Sequence, residues 1–173
     1  MRDTQGNPTL YQSEEEIKAN KALLEEHMAA INDVELLVIK GHLLLEYAIN
    51  KFIDDLAVPN RRKDLRFSFA QKFHIARLFD DGWLQVIEED IVLFNRLRNG
   101  IAHNLHADLS ILDSLRVRNV KYLPGVDTAT VHEAIKSIVI FLFSSIMEAS
   151  YGCRKLKAHQ GHWDVLKGKW DNT

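Results

Sequence analysis

The sequence is poor in the features that mark secreted, membrane-spanning or strongly charged proteins. Its one cysteine, Cys153, excludes an internal disulfide and fits a reducing compartment. The opening residues, MRDTQGNPTLYQS, contain no apolar core, so we expect no signal peptide. The net charge of −2 gives no overall attraction to a polyanion. Any contact with a nucleic acid must therefore come from local basic clusters.

Long apolar runs are also scarce. Towards the C-terminal end the longest uncharged run covers 11 residues, 137–147, between Lys136 and Glu148. A helix that crosses a bilayer takes about 20 predominantly apolar residues. We therefore expect no membrane span and a soluble, cytoplasmic protein.

Proline is rare and its positions are informative. The three prolines are Pro8, Pro59 and Pro124. Each lies between segments with helical periodicity, which is typical of an all-helical domain because proline disrupts a helix interior. With 173 residues, 46% of them hydrophobic, the chain can form one domain with a substantial core. We predict an all-α fold, an antiparallel bundle of four to five helices over residues 14–158, with an N-terminal extension at 1–13 and a tail at 159–173.

A serine or threonine followed three residues later by glutamate marks two helix starts. Ser13 with Glu16, and Thr130 with Glu133, form such capping boxes. Helices are predicted at 14–30, from Asn32 or Asp33 to Leu56, at 68–79, at 84–105 and at 130–157. The segment 107–126 fits either a short hairpin or a helical turn.

The stretch LFNRLRNGIAHNLH, residues 93–106, carries several polar side chains inside an apolar helical pattern. At about 100° per residue, one side of this predicted helix consists of Ile87, Ile91, Phe94, Arg98, Ile101 and Leu105. Arg98 thus interrupts a core-facing row of large apolar residues. A buried guanidinium is costly unless an anion or an acceptor meets it. The alternative is that its aliphatic stem packs while its charged end reaches water.

A second side of the same helix is polar. Arg96, Asn99, His103 and His106 follow one another there at spacings of three, four and three residues. Arg98 and His103 are five residues apart, about 140° around the helix axis, so they do not share one side of the helix. Within one chain only the length of the arginine, or a helix distorted at Gly100, would bring both to one phosphate. A second copy across a two-fold axis would bring two arginines and two histidines into one cleft. The spacing therefore predicts a homodimer whose contact includes residues 84–105.

Another polar line runs along the apolar segment VELLVIKGHLLLEYAINKFIDDL. Glu35, His42, Glu46 and Asn50 share one side of this predicted helix. A lone carboxylate at Glu46 would be costly among so many apolar residues, so we expect a partner, with Arg98 preferred over His103. The alternative to a functional role for Glu46 is a buried ion pair that only fixes the register of two helices.

Patterns for a metal site are weak. His103 with His106, and His159 with His162, have the H-x-x-H spacing that a metal ion can use. No clear third ligand lies nearby in the sequence. We expect neither a metal ion nor another cofactor.

The segment RNGIAH, from Arg98 to His103, resembles the signature of the HEPN superfamily, which is an arginine, four to six residues and a histidine. A polar residue commonly follows that arginine, and here it is Asn99. More locally, FSFAQKFHIARLFDDGWL followed by LFNRLRNGIAHNLHADLS resembles the mannitol-repressor-like branch, in which a helix with a Phe…Lys…Ala pattern precedes an arginine-asparagine and an alanine-histidine pair. The resemblance covers roughly residues 34–110.

This resemblance implies a dimeric, HEPN-like helical bundle that acts as a metal-independent endoribonuclease. His103 would transfer protons, Arg98 would hold the scissile phosphate, Asn99 would position phosphate or histidine, and Glu46 would orient Arg98. The candidate RNA-binding residues are Arg96 and His106 beside these groups, together with the basic runs Arg61, Arg62, Lys63, Arg66 and Arg116, Arg118, Lys121. Each basic run is also compatible with a solvated loop.

The alternative function is a non-catalytic regulatory or partner-binding bundle of the mannitol-repressor-like type. No helix-turn-helix pattern is visible, so direct reading of DNA is poorly supported. Members that pair with a nucleotidyltransferase antitoxin usually carry a tyrosine two residues after the histidine, where this chain has Leu105. A protein partner or antitoxin therefore stays an open expectation.

Overall fold

The computed structural model describes residues 12–56, 66–80, 82–103, 110–120 and 130–160, without the side chains of 116–120 and 156–160. Within these ranges all regular structure is helical. The six helices are α1 (Glu14–Met28), α2 (Val34–Leu56), α3 (Phe69–Leu78), α4 (Trp83–His103), α5 (Ser110–Val120) and α6 (Val131–Gln160). The predicted all-α class is confirmed, and the number of helices is one higher than the predicted four to five.

Local sequence signals fix several helix ends. Ser13 and Glu16 form the expected capping box at the start of α1. Thr130 and Glu133 form the expected capping box before α6. Ser68 and Gln71 cap α3 in the same way. Gly82, with a φ of 105°, separates α3 from α4 in a conformation that favours glycine.

The additional helix lies in the segment whose sequence left two possibilities open. The described part of 107–126 is α5, so the helical alternative is confirmed there and the hairpin is not. Leu112 and Leu115 of α5 are buried against the core. The predicted ends of two other helices shift slightly, because α1 ends at Met28 and α4 at His103.

The core is centred on the packing of α2 against α6, the most extensive helix contact in the described chain. Gly41 of α2 permits this packing, because a Cβ atom there would lie 2.5 Å from Val139 Cγ2 and 3.2 Å from Phe94 Cζ. Phe52, Phe94 and Phe143 are fully buried around the same contact. Three helices, α2, α4 and α6, therefore converge closely at this one glycine.

The directions of the helices are mixed rather than strictly alternating. Lys136 near the start of α6 contacts Ala29 at the end of α1, and Arg154 near the end of α6 contacts Glu16, so α1 and α6 are antiparallel. By contrast α2 runs parallel to α6, since Gly41 lies against Val139 and Asp55 accepts a hydrogen bond from Ser150. The predicted bundle is correct in class, and its strictly antiparallel arrangement is not.

The segment Val131–Lys155 of α6 is the part of the described chain that is long and apolar enough to cross a membrane, with a mean hydropathy of 1.4. A core helix passes the same test, and 61% of the most apolar window is buried inside the bundle. This is weak evidence for a span, and the cytoplasmic location stays a prediction.

The contact at Gly41 leads to a stability test. Gly41→Ala should lower the free energy of unfolding by about 1–3 kcal/mol, because the added methyl group overlaps Val139 and Phe94. Gly152→Ala is the matched control, since a Cβ at that helical glycine meets nothing within 4 Å. The control should gain about 0.5–1 kcal/mol. Urea unfolding that ranks the two variants in the opposite order would contradict this packing.

Candidate functional site

Arg98 lies on the buried side of α4, as the periodicity predicts. Ile87, Ile91, Phe94 and Ile101 on that side are buried, and Arg98 between them is half-buried. Its Nη1 donates a hydrogen bond to Asn99 Oδ1 over 3.0 Å. The aliphatic stem thus packs within the apolar side while the guanidinium turns back to a polar neighbour.

Glu46 pairs with a residue that the sequence did not suggest. Lys72 of α3 donates to Glu46 Oε1 over 2.6 Å, and the two side chains are 18% and 29% exposed. The expected pairing of Glu46 with Arg98 is therefore wrong. The physical reason is that α3 packs along α2 and carries its own cation to the carboxylate, while Arg98 is directed to Asn99.

Glu46, Lys72, Arg98 and Asn99, with His42 and Asn95, form a polar cluster at the junction of α2, α3 and α4. His42 is its most buried member. The side chain is 4% exposed, its ring centroid lies 4.2 Å from that of Phe69, and its Nε2 donates to Asn95 Oδ1 over 3.1 Å. Burial lowers the pKa of His42, and the charge of Arg98 lowers it further. The hydrogen bond to Asn95 and the charge of Glu46 oppose this shift. Burial therefore favours the neutral form of His42, and the charges of Arg98 and Glu46 act on it in opposite directions.

His103 lies away from this cluster. It is the last residue of α4 and is exposed, as is Arg96, whereas Asn99 is half-buried. The structure thus joins Arg98 and Asn99 by a hydrogen bond and leaves His103 exposed at the end of the same helix. At about 100° per residue His103 lies about 140° from Arg98 and about 40° from Asn99 around the helix axis.

The predicted RNA-binding residues are only partly described. Arg66 is exposed just before α3. Arg116 and Arg118 lie in α5, where the structure describes the backbone alone. Arg61, Arg62, Lys63, His106 and Lys121 lie outside the described residues, as does Leu105.

Two residues of the cluster, Lys72 and Asn95, had no role in the sequence-based prediction. Lys72 is the lysine of the Phe…Lys…Ala pattern. This pattern was visible in the sequence, but nothing in the sequence indicated that Lys72 pairs with Glu46. Asn95 precedes Asn99 by one turn of α4, and His42 precedes Glu46 by one turn of α2. These spacings could have indicated that both helices present polar groups to a common junction.

The charge of Arg98 is the chemically distinctive feature of the cluster. Several half-buried cations contact carboxylates, Lys72 with Glu46, Arg77 with Glu88, and Arg154 with Glu16 and Asp55, whereas Lys136 donates to a backbone carbonyl. Within the described ranges Arg98 has no carboxylate partner and bonds only the neutral amide of Asn99. A half-buried guanidinium without a counter-ion is suited to bind an anion. The described residues also contain no group of three or more histidine, cysteine, aspartate or glutamate side chains that could hold a metal ion.

Comparison with known proteins adds no assignment. No protein-family model matches the chain, and no curated protein or solved structure is significantly similar to it. The resemblance to the HEPN superfamily therefore depends on the residues quoted above.

The observed pairing of Glu46 can be tested by a double-mutant cycle. Lys72→Met should cost about 1–3 kcal/mol, because it leaves a half-buried carboxylate without its cation. Adding Glu46→Gln to the Lys72→Met variant should restore about 1 kcal/mol of the lost free energy of unfolding. Arg98→Met with Glu46→Gln is the control pair. The effects of these two changes on the free energy of unfolding should be additive to within about 0.5 kcal/mol. Coupling of Glu46 to Arg98 rather than Lys72 in urea unfolding would overturn the observed arrangement.

The surroundings of His42 predict how its pKa responds to its neighbours. Arg98→Met removes a repelling cation and should raise the pKa of His42, whereas Glu46→Gln removes an attracting anion and should lower it. Nuclear magnetic resonance titration of the imidazole measures both shifts, with Arg96→Met as the exposed control that leaves the midpoint in place. Equal midpoints in wild type and Arg98→Met would place Arg98 away from His42.

Proposed function

We propose that this protein is a metal-independent endoribonuclease that acts as a homodimer. The observation that supports this most directly is the half-buried guanidinium of Arg98, which has no carboxylate partner in the described part of the chain. It lies beside Asn99, on the same helix as the exposed His103. A phosphodiester supplies the negative charge that Arg98 lacks. The reaction also requires a group that titrates near neutral pH, which histidine provides.

The proposed reaction is transesterification within the RNA strand. His103 accepts the proton of a ribose 2′-hydroxyl, the 2′-oxygen forms a bond to phosphorus, and the bond from phosphorus to the 5′-oxygen breaks. The leaving 5′-oxygen takes up the proton that His103 accepted, and the products are a 2′,3′-cyclic phosphate and a 5′-hydroxyl. Arg98 stabilises the charge that builds on the phosphate oxygens. No metal ion and no further reactant are needed for this balance.

The positions of Arg98 and His103 support the homodimer. Helix geometry separates them on two sides of α4, and a second chain that supplies one of them would let a single phosphate contact both. The exposed side of α4 leaves room for this contact. Val92 on that side is 49% exposed, and a Cβ at Gly100 would meet nothing within 4 Å.

Asn99 and Glu46 have different roles in this proposal. Asn99 accepts the hydrogen bond of Arg98 and so fixes the direction of the guanidinium. Glu46 contacts Lys72 and not Arg98, so its effect on the site is indirect. We assign it to holding Lys72 and α3 against His42.

A second candidate function is non-catalytic binding of a partner protein. The observation that favours it is a row of exposed apolar side chains on α2, in which Leu36, Leu43 and Tyr47 are 45%, 52% and 49% exposed. Under this hypothesis the polar cluster fixes the register of α2, α3 and α4, and purified protein does not cleave RNA.

The two functions are separated by cleavage assays with purified protein. Wild type should cleave single-stranded RNA in excess EDTA and leave 2′,3′-cyclic phosphate ends. His103→Ala should lose about 100-fold or more in rate, the usual contribution of a general acid or base. His74→Ala, an exposed histidine on α3, is the matched control and should keep full activity. Cleavage that persists in His103→Ala would exclude His103 from the mechanism.

Mixing two inactive variants tests whether the site is shared between chains. A dimer of one Arg98→Met chain and one His103→Ala chain retains one intact pair if each pair spans the interface. Random mixing should therefore restore about a quarter of wild-type activity. If the mixture stays inactive while both variants form dimers, the site is not shared between chains.

A further inference from the structure

A groove on another face of the molecule lies between α1 and α6 and is distinct from the polar cluster. It encloses about 480 Å³, which is within the range of small-molecule sites. From α6 it is lined by one row of side chains, Lys136, Ile140, Ser144 and Glu148. Since α1 and α6 are antiparallel, the groove is straight and extends about 18 Å along α6.

The middle of this groove is apolar. Ile17, Leu24 and Met28 line it from α1, and Ile140 faces them from α6. Ile17 and Ile140 remain 52% and 46% exposed, so their apolar surface is not covered by the described chain. An occupant of matching shape would gain free energy by burying it.

The two ends of the groove differ in charge. At one end Lys136 donates a hydrogen bond to Ala29 O, at the end of α1. At the other end Glu148 accepts a hydrogen bond from the backbone N–H of Gln12. Nearby Glu16 is already bound to Arg154. Glu148 is therefore half-buried at an apolar groove with no cation partner in the described part of the chain.

A second groove, of about 430 Å³, lies on the opposite side of the same residues. Trp83, Val86 and Phe141 line it, and it shares Ser144 and Glu148 with the first groove. Glu148 thus lies where two apolar grooves meet. Burial raises the pKa of its carboxyl, and the neighbouring charge of Glu16 adds to the effect. A cation placed beside Glu148 would relieve both penalties.

We propose that the groove between α1 and α6 binds an amphiphilic amine, whose ammonium group contacts Glu148 and whose alkyl chain lies along Ile17, Leu24 and Ile140. The choice of a cationic head follows from charge complementarity, because the lysine at the far end already has an acceptor, whereas Glu148 meets one backbone donor and no cation in the described part of the chain. The site is independent of the proposed ribonuclease activity.

The probes are n-decylamine, decanoate and decanol, which share one chain length and differ in the charge of the head group. Isothermal titration calorimetry with the full-length protein near pH 7.5 should give saturable binding of the amine, about tenfold or more tighter than that of either other probe. Lowering the pH should weaken amine binding, because protonation of Glu148 removes the partner of the ammonium group. Since burial raises the pKa of this carboxyl, the loss should begin at a higher pH than protonation of an exposed glutamate would cause.

Two variants of equal charge change identify the carboxylate involved. Glu148→Gln should remove the preference for the amine, whereas Glu25→Gln should change its affinity less than about twofold. Glu25 lines the same groove, but it is 66% exposed and already paired with Lys21. Ile140→Glu, at an exposed position, should weaken binding of the uncharged decanol if the chain lies in the groove.

Several outcomes would overturn the proposal. Decanoate binding as tightly as decylamine would place the charged head at Lys136. Unchanged amine binding in Glu148→Gln would exclude the carboxylate, and unchanged decanol binding in Ile140→Glu would exclude the groove. Absence of binding by all three probes would exclude the site itself. Circular dichroism of each variant verifies that the helical fold is retained.

Discussion

The close approach of α2 to α6 at Gly41 is the constraint on which the rest of the structure depends. No side chain larger than hydrogen fits between this backbone and Val139. Phe94 of α4 also contacts the position, so the same glycine sets the distance of α4 from both helices. His42 and Asn95, the residues directly after Gly41 and Phe94, are thereby brought within hydrogen-bond distance. The apolar contact and the polar cluster are adjacent parts of one arrangement.

The polar cluster is ordered by charge as well as by packing. His42 lies between the cation of Arg98 and the anion of Glu46, and Lys72 neutralises that anion from α3. If Arg98 were bound to Glu46, Lys72 would be the cation without a partner, and the anion-binding group would lie on α3. The pair actually formed leaves Arg98 without a carboxylate partner in the described chain, on the helix that also carries His103. The choice of partner for Glu46 thus decides which of these two cations has no counter-ion there.

The sequence predicts the helical class, the helix starts and the separation of Arg98 from His103, because each depends on local periodicity or on capping within one turn. It does not predict which cation meets Glu46. That choice depends on how α3 packs along α2, a contact between residues 26 positions apart. The burial of His42 has the same origin, since Phe69 and Asn95 come from two other helices. Local features could therefore be predicted from the sequence, whereas the pairing of side chains from different helices could not.

Within the described chain, Arg98 and Glu148 are half-buried charges that meet neutral hydrogen-bond partners, the side-chain amide of Asn99 and the backbone N–H of Gln12. Arg154 neutralises Glu16 and Asp55, and Lys72 neutralises Glu46. A bundle selected for stability alone would have no reason to keep a half-buried charge without a counter-ion, because its desolvation is not repaid. Such local violations are expected where a ligand supplies the missing charge. The two proposals require ligands of opposite charge, an anion at Arg98 and a cation at Glu148, so they describe two separate sites.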